Sequence, residues 1–127
     1  MSLIQNHIGA VFIPVSDIDA ARDWYSALLG IPADGPIQFD HIYVVPMHDG
    51  SGLVLDSKDF AGPHTSKPLF HFMTRDIHGA YAQMRDNHVD LIGEVSDGVF
   101  FNFKDPDGNL LMVADVPLPD HADAPSR

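Results

Sequence analysis

The sequence predicts an α+β domain built from two tandem βαβββ modules. Three observations lead there. The order strand, helix, strands is read twice along the chain. The two halves also superpose on themselves: a shift of 59 residues puts Asp17 on Asp76, Ile18 on Ile77, Ala21 on Ala80, Val54 on Val113 and Asp56 on Asp115, and a shift of 58 puts Asp49-Gly50 on Asp107-Gly108. The length, 127 residues, is that of one compact unit. The expected division is a single domain over 1–127, with module one at about 7–57, module two at about 67–116 and a loose tail at 117–127.

Residues 8–15, IGAVFIPV, are apolar and β-branched and stop at Ser16 and Asp17, as a strand does before a helix start. Ser16 fits the N-cap, with Asp19 three residues on as the acidic partner of a capping box. Ile18, Ala21, Tyr25 and Leu28 recur at helical spacing, and Gly30 then Pro32 end the helix. HIYVVPM and GLVLD read as two strands joined by HDGSG, whose Asp49-Gly50 is a hairpin signal. The pattern restarts with the strand PLFHFMT. Asp76 caps a helix with Ile77, Ala80, Tyr81 and Met84 on one face, and LIGEV, VFFNFK and LLMVAD give three further strands. Asp105 to Asn109, DPDGN, form a turn, because each residue type satisfies turn geometry.

Composition narrows the function. The formal net charge is −11 and only seven residues are Lys or Arg, which excludes a general nucleic-acid binder and an anionic-lipid binder. Hydrophobic residues at 45% and charged residues at 20% fit an ordered globular chain, and no apolar run approaches the roughly 18 to 20 residues that cross a bilayer. Cysteine is absent, which removes thiol nucleophiles, disulfides and thiolate metal sites, and suits a reducing compartment. A cytoplasmic location is expected.

With VSDIDAARDWYSALLG early and FKDPDGN late, the chain resembles the vicinal oxygen chelate superfamily of glyoxalases, bleomycin-resistance proteins and extradiol dioxygenases, over about residues 8–115. The resemblance implies that each module curls its sheet into half of a cup with a helix outside, and that two copies form a homodimer. Metal-using relatives hold a divalent ion with histidines in the first strand of each module and glutamates in the last, a donor set that leaves positions open for substrate oxygens. Carried onto this chain, the histidine positions are Ala10 and Leu69, and the carboxylate positions are Met112 and either Leu53 or Val54. None is His, Asp or Glu. His7 lies an odd three residues from Ala10 and so on the other face of a strand, and Glu94, the only glutamate, falls in the segment after the second helix. No cofactor and no metal at the inherited site are therefore expected.

Alternation along strands, with those positions inward, predicts the lining. Phe12 joins Ala10, His71 joins Leu69, Met112 joins Ala114, and Val54 joins Asp56. Packing Phe101 and Phe103 on the helices turns Phe100, Asn102 and Lys104 inward, and the 59-residue shift then sends His41 and Tyr43 inward as well. The expected ligand-binding residues are Phe12, Tyr43, Phe100, Asn102 and Met112. Trp24 and Tyr25 read as core.

Two functional readings follow. In one, the cup binds or sequesters an unidentified small molecule without metal, and the acidic charge steers a cationic ligand towards it. In the other, the protein is a metal-dependent lyase, isomerase or dioxygenase whose catalytic residues His41, His71 and Asp56 converge as a displaced divalent-metal or acid/base site. Each residue also has a plain structural reading: His71 as a satisfied core or interface histidine, Asp56 as the cap of a turn, Tyr43 and Asn102 as packing and hydrogen-bonding residues.

Overall fold

A computed structural model describes residues 2–48 and 50–117. Asp49 of the expected hairpin, and all but the first residue of the expected tail, lie outside the described residues. The chain runs β1 (Ala10–Pro14), α1 (Ile18–Leu29), β2 (Ile42–Val45), β3 (Gly52–Asp56), β4 (His71–Met73), α2 (Ile77–Asp86), β5 (Asp90–Ser96), β6 (Phe100–Lys104) and β7 (Leu110–Ala114). Two curled mixed sheets result, a three-stranded one in the order β1-β3-β2 and a four-stranded one in the order β4-β7-β6-β5. The first strand of each module lies parallel to the last, β1 to β3 and β4 to β7, and the other pairings are antiparallel.

The α+β architecture of two repeated modules is as expected, and the first module carries one strand fewer than the second. The counterpart of β5 falls on residues 31–37, IPADGPI. Pro32 and Pro36 remove ladder donors there, and only an isolated bridge between Gln38 and Ile42 forms.

The helix starts differ in detail from the expectation. Asp17, not Ser16, caps α1: its backbone is extended and its side chain accepts from the Ala20 amide at 3.1 Å. Ser16 is held elsewhere, because the Asp107 carboxylate accepts from both its amide at 2.9 Å and its hydroxyl at 2.5 Å. Gly30, with φ 68°, takes the left-handed position that ends α1. Asp76 caps α2 as expected, accepting from the Gly79 amide at 2.9 Å.

Alternating strand residues bury one face of each sheet under the helices. Ile13, Val15, Leu53 and Leu55 from the first module and Phe72, Phe101, Phe103, Leu111 and Val113 from the second join Tyr25 in one core. Tyr81 of α2 meets Phe101 edge-on at 5.2 Å between ring centres, and Trp24 of α1 lies 6.5 Å from Phe103 across the module boundary. Burying an aromatic ring of this kind stabilises by about 1.5–3 kcal/mol.

The DPDGN turn is a joint between the modules as well as a turn. Asp105 is buried, and its carboxylate accepts from the Asn109 and Asp107 amides, the Asn109 side chain and the Tyr25 hydroxyl, the last at 2.5 Å. Burial, and then the adjoining Asp105 charge, push the Tyr25 hydroxyl far above its ordinary value, so it remains a donor. Asn109 extends the clasp, donating to the Pro14 carbonyl at 2.7 Å and accepting from the His64 amide at 2.7 Å. Five residues thus tie β1, α1 and the 57–70 connection to β7.

Candidate functional site

The faces opposite the helices are open. Phe12 is 55% exposed, Val44 47%, Met73 48% and Ile92 39%, although each sits in a regular strand. In a small domain such residues mark a surface made to meet something.

Register defines the two walls. In the second sheet His71 pairs with Met112, Met112 with Asn102 and Asn102 with Ile92, so the four form one row across the face. In the first sheet the matching row is Phe12, Val54 and Val44. Phe12 thus corresponds to His71, Val54 to Met112 and Val44 to Asn102. The first sheet's row is wholly apolar, and the second sheet's row sets an imidazole and an amide around a thioether. Phe100, Asn102 and Lys104 share the open face while Phe101 and Phe103 are fully buried under the helices.

These rows correct one expected residue. Tyr43 pairs with Leu55, lies on the helix side and is 1% exposed, with its ring against Gly35. The hairpin strands follow the 58-residue shift that matches the two Asp-Gly pairs, and the 59-residue shift is off by one. A one-residue slip exchanges the faces of a strand. Ile42 and Val44 are therefore the residues on the open face, and sequence reasoning missed them although Asp49-Gly50 carried the signal.

His41 stands in the turn before β2, and Asp56 closes β3 at the same end of the open face. The two meet, with His41 Nδ1 2.8 Å from Asp56 Oδ1, and Asp56 also accepts from the Lys58 amide at 2.9 Å. Burial alone would raise the Asp56 carboxyl, but the Lys58 amide and the His41 imidazole outweigh it and hold it below the usual carboxylate range. An ionised carboxylate only accepts, so His41 donates from Nδ1, and in the neutral ring Nε2 is left as an acceptor.

His71 does not join them. It lies in the other sheet, where its Nδ1 is 3.2 Å from the Phe72 carbonyl oxygen. Among the described residues no three His, Asp or Glu side chains are grouped to hold a metal ion. The expected convergence of His41, His71 and Asp56 is therefore not formed within one chain, because the residues belong to sheets that are not hydrogen-bonded to each other. The positions that hold metal in the resembling proteins offer no better set. Ala10 faces Gly52, Met112 lies between His71 and Asn102, and Leu69, Leu53 and Val54 are aliphatic. No imidazole or carboxylate occupies any of them, so these residues do not fit a divalent ion.

Two further features mark the open face. Among the described residues the Asn102 side-chain oxygen is sealed from solvent and meets no hydrogen-bond partner, a cost normally avoided in folded proteins. The turn before His41 contains Phe39 at φ 52° and Asp40 at φ 64°, both left-handed, with Phe39 78% exposed. Nothing in the sequence announces that turn, since such positions normally hold Gly or Asn.

A cleft of about 560 Å³ lies on the helix-covered side, lined by residues including Trp24, Leu28, Phe72 and Met84, and Met73 of the edge strand β4 borders it as well as the open face. Among the described residues its lining has no titratable side chain, and its polar side chains include Thr74, Gln83 and Asn87. Binding sites combine apolar walls with convergent polar groups, a description that fits the open face better.

The sheet order, the paired modules and the DPDGN joint define a glyoxalase-type fold, and the sequence agrees. The profile of the Glyoxalase/Bleomycin resistance protein/Dioxygenase superfamily matches residues 4–113. The chain belongs to this superfamily. It is 32% identical over 114 residues to the uncharacterized protein YetH of Bacillus subtilis (strain 168), covering 84% of this chain and 95% of that one. Among solved structures it is similar to TnmS3, an antibiotic binding protein from Streptomyces sp. CB03234, with TM-score 0.70, 24% identity and coverage of 92% of this chain and 100% of that one. It is likewise similar in fold to the oxidase ChaP-H1, with TM-score 0.69, 20% identity and coverage of 89% and 98%.

Proposed function

We propose that the protein binds a small aromatic cation on the open sheet faces without a metal ion, and that a second copy of the chain completes the cup. The observation that carries this reading is the composition of the open faces: exposed Phe12, Val44, Met73 and Ile92, with a few polar groups set among them at His71, Asn102 and the His41–Asp56 pair. Apolar walls supply affinity and sparse polar groups supply orientation. Turning the Asn102 side chain towards a ligand donor gives its unpartnered oxygen a hydrogen bond. The inherited metal positions hold no ligating side chain, so binding that depends on apolar contact and hydrogen bonds is the chemistry left to this face. The formal charge of −11 favours approach of a cation.

Each sheet supplies one wall, and in a single chain both are exposed. A second copy that sets its four-stranded sheet over the three-stranded sheet of the first encloses a cup twice, and buries Phe12 and Val44 on one side with Ile92 on the other. The similarity in fold to an antibiotic binding protein supports ligand capture as the role. The reading places the protein in the reducing cytoplasm, where a chain without cysteine loses nothing.

The test is a fluorescence titration of EDTA-treated protein with flat aromatic cations, beside Phe12→Ala and Asn102→Ala, and sedimentation of the same samples. Saturable micromolar binding that survives EDTA and weakens in both variants, by a dimer, is expected. Binding that appears only on adding Zn, Ni, Mn or Fe(II) contradicts the reading.

A further inference from the structure

The segment Gln38 to His41 carries strain with no packing return. Its two central residues have φ 52° and 64°, and the His41 amide donates to the Gln38 carbonyl at 3.1 Å, as in a type I′ turn. The conformation is fixed by the flanking bridge, in which the Gln38 amide donates to the Ile42 carbonyl at 2.7 Å and the Ile42 amide returns the bond at 2.9 Å. A bulky residue in the left-handed region is a real outlier, and Phe39 is also largely exposed, so burial does not offset the cost. Strain held in place by surrounding hydrogen bonds clusters at ligand-contacting sites.

The turn sets three groups side by side. The Phe39 and His41 rings lie 6.4 Å apart with a 37° tilt. Asp56 stands behind His41 and holds its Nδ1. In the neutral ring Nε2 is then an acceptor with the Asp56 carboxylate behind it, and the Phe39 ring face is an attractive surface for a cation.

We propose that Phe39, His41 and Asp56 form a rim clamp that selects aromatic cations carrying an N–H donor, with the N–H bonded to His41 Nε2 and the ring system stacked on Phe39. The inference rests on the cup reading and adds the ligand chemistry that the rim selects. A neutral aromatic lacks the attraction to Asp56 and to the Phe39 face. A cation without N–H keeps that attraction and loses the bond to His41.

Two probes separate these contributions. 9-Aminoacridine is a flat cation with N–H donors, and 10-methylacridinium is a flat cation of similar size without one. Titrating both into the intact protein by fluorescence is expected to show tighter binding of 9-aminoacridine by about fivefold or more, the value of one hydrogen bond. His41→Ala is expected to abolish that preference and leave 10-methylacridinium nearly unchanged. Phe39→Gly is expected to weaken both probes several-fold while raising Tm by roughly 2 °C, since glycine accepts the left-handed backbone freely. A merely structural turn would show the Tm rise without the loss of binding.

Equal affinity for the two probes, a preference that survives His41→Ala, or unchanged affinity in Phe39→Gly overturns the clamp. Phe12→Ala keeps the two levels apart. If it weakens both probes while the rim variants do not, the cup stands and the clamp falls. If the rim variants act and Phe12→Ala is silent, the clamp stands and the cup reading falls. Absence of saturable binding of either probe to the wild type overturns both.

Discussion

Replacing Asn109 by alanine should remove a large part of the stability of this domain without touching its hydrophobic core. The side chain is 1% exposed, and its amide bridges three partners: the Pro14 carbonyl at 2.7 Å, the Asp105 carboxylate at 2.8 Å and the His64 amide at 2.7 Å. Asp105 keeps three other donors in the variant, namely Tyr25 and two backbone amides. The Pro14 carbonyl and the His64 amide lose their side-chain partner and are left in part-buried surroundings. Each stranded group costs about 1–3 kcal/mol, so a loss of roughly 3–4 kcal/mol is expected. That is a substantial fraction of the roughly 5–15 kcal/mol typical of a whole domain. In urea, with a slope of about 1.5–2 kcal/mol per molar, the midpoint should fall by about 2 M. Circular dichroism and Trp24 fluorescence, followed at one protein concentration, should report the same midpoint. A loss below about 0.5 kcal/mol would show that the DPDGN clasp does not hold the modules together.

Other consequences are open to the same kind of check. Tyr25→Phe removes one bond to a buried carboxylate and should cost about 1.5–2 kcal/mol by urea unfolding; because it shares Asp105 with Asn109, the double variant should deviate from additivity. Gly35→Ala should destabilise by about 1–3 kcal/mol, since its Cβ would fall 2.9 Å from Cε1 of the buried Tyr43 ring, and an unchanged midpoint would show that the ring moves freely. The depressed ionisation of Asp56 has a defined sign. Its folded carboxyl loses its proton more readily than the unfolded one, so its stabilisation is complete above about pH 3.9 and is lost as pH falls through the lower folded value. The stability gap between wild type and Asp56→Asn should therefore shrink as pH falls from about 4 through the lower folded value. A gap that stays constant or widens below about pH 4 would refute that sign.

Most of the fold is legible in the sequence because periodicity and caps are local. The α1 stripe of Ile18, Ala21 and Tyr25, the stop at Gly30 and the Asp76 cap all follow from near-neighbour chemistry. Ser16 fails as a cap for a reason no local pattern contains: Asp107, distant in sequence, takes its hydroxyl. The site is half legible. Phe12, His71, Asn102 and Met112 fall into matching rows because alternation carries from one correct anchor along a strand. Tyr43 falls on the wrong face because the repeat has two shifts, and the hairpin obeys the one that the Asp-Gly pairs indicate. His41 and Asp56 meet, whereas His71 stands apart, since residue type says which groups suit a metal but not which sheet carries them. The strained Phe39 turn is invisible in the sequence, as left-handed phenylalanine contradicts every local preference.

Amide NMR of the EDTA-treated protein titrated with 9-aminoacridine distinguishes the open sheet faces from the cleft between the helices as the place where the ligand binds. Shifts concentrated at Phe12, Val44, Val54, Asn102 and Met112, with the amides of α1 and α2 unmoved, are the predicted result. Shifts centred on Trp24, Leu28 and Met84 would place the ligand in the helix-side cleft and contradict binding on the open sheet faces.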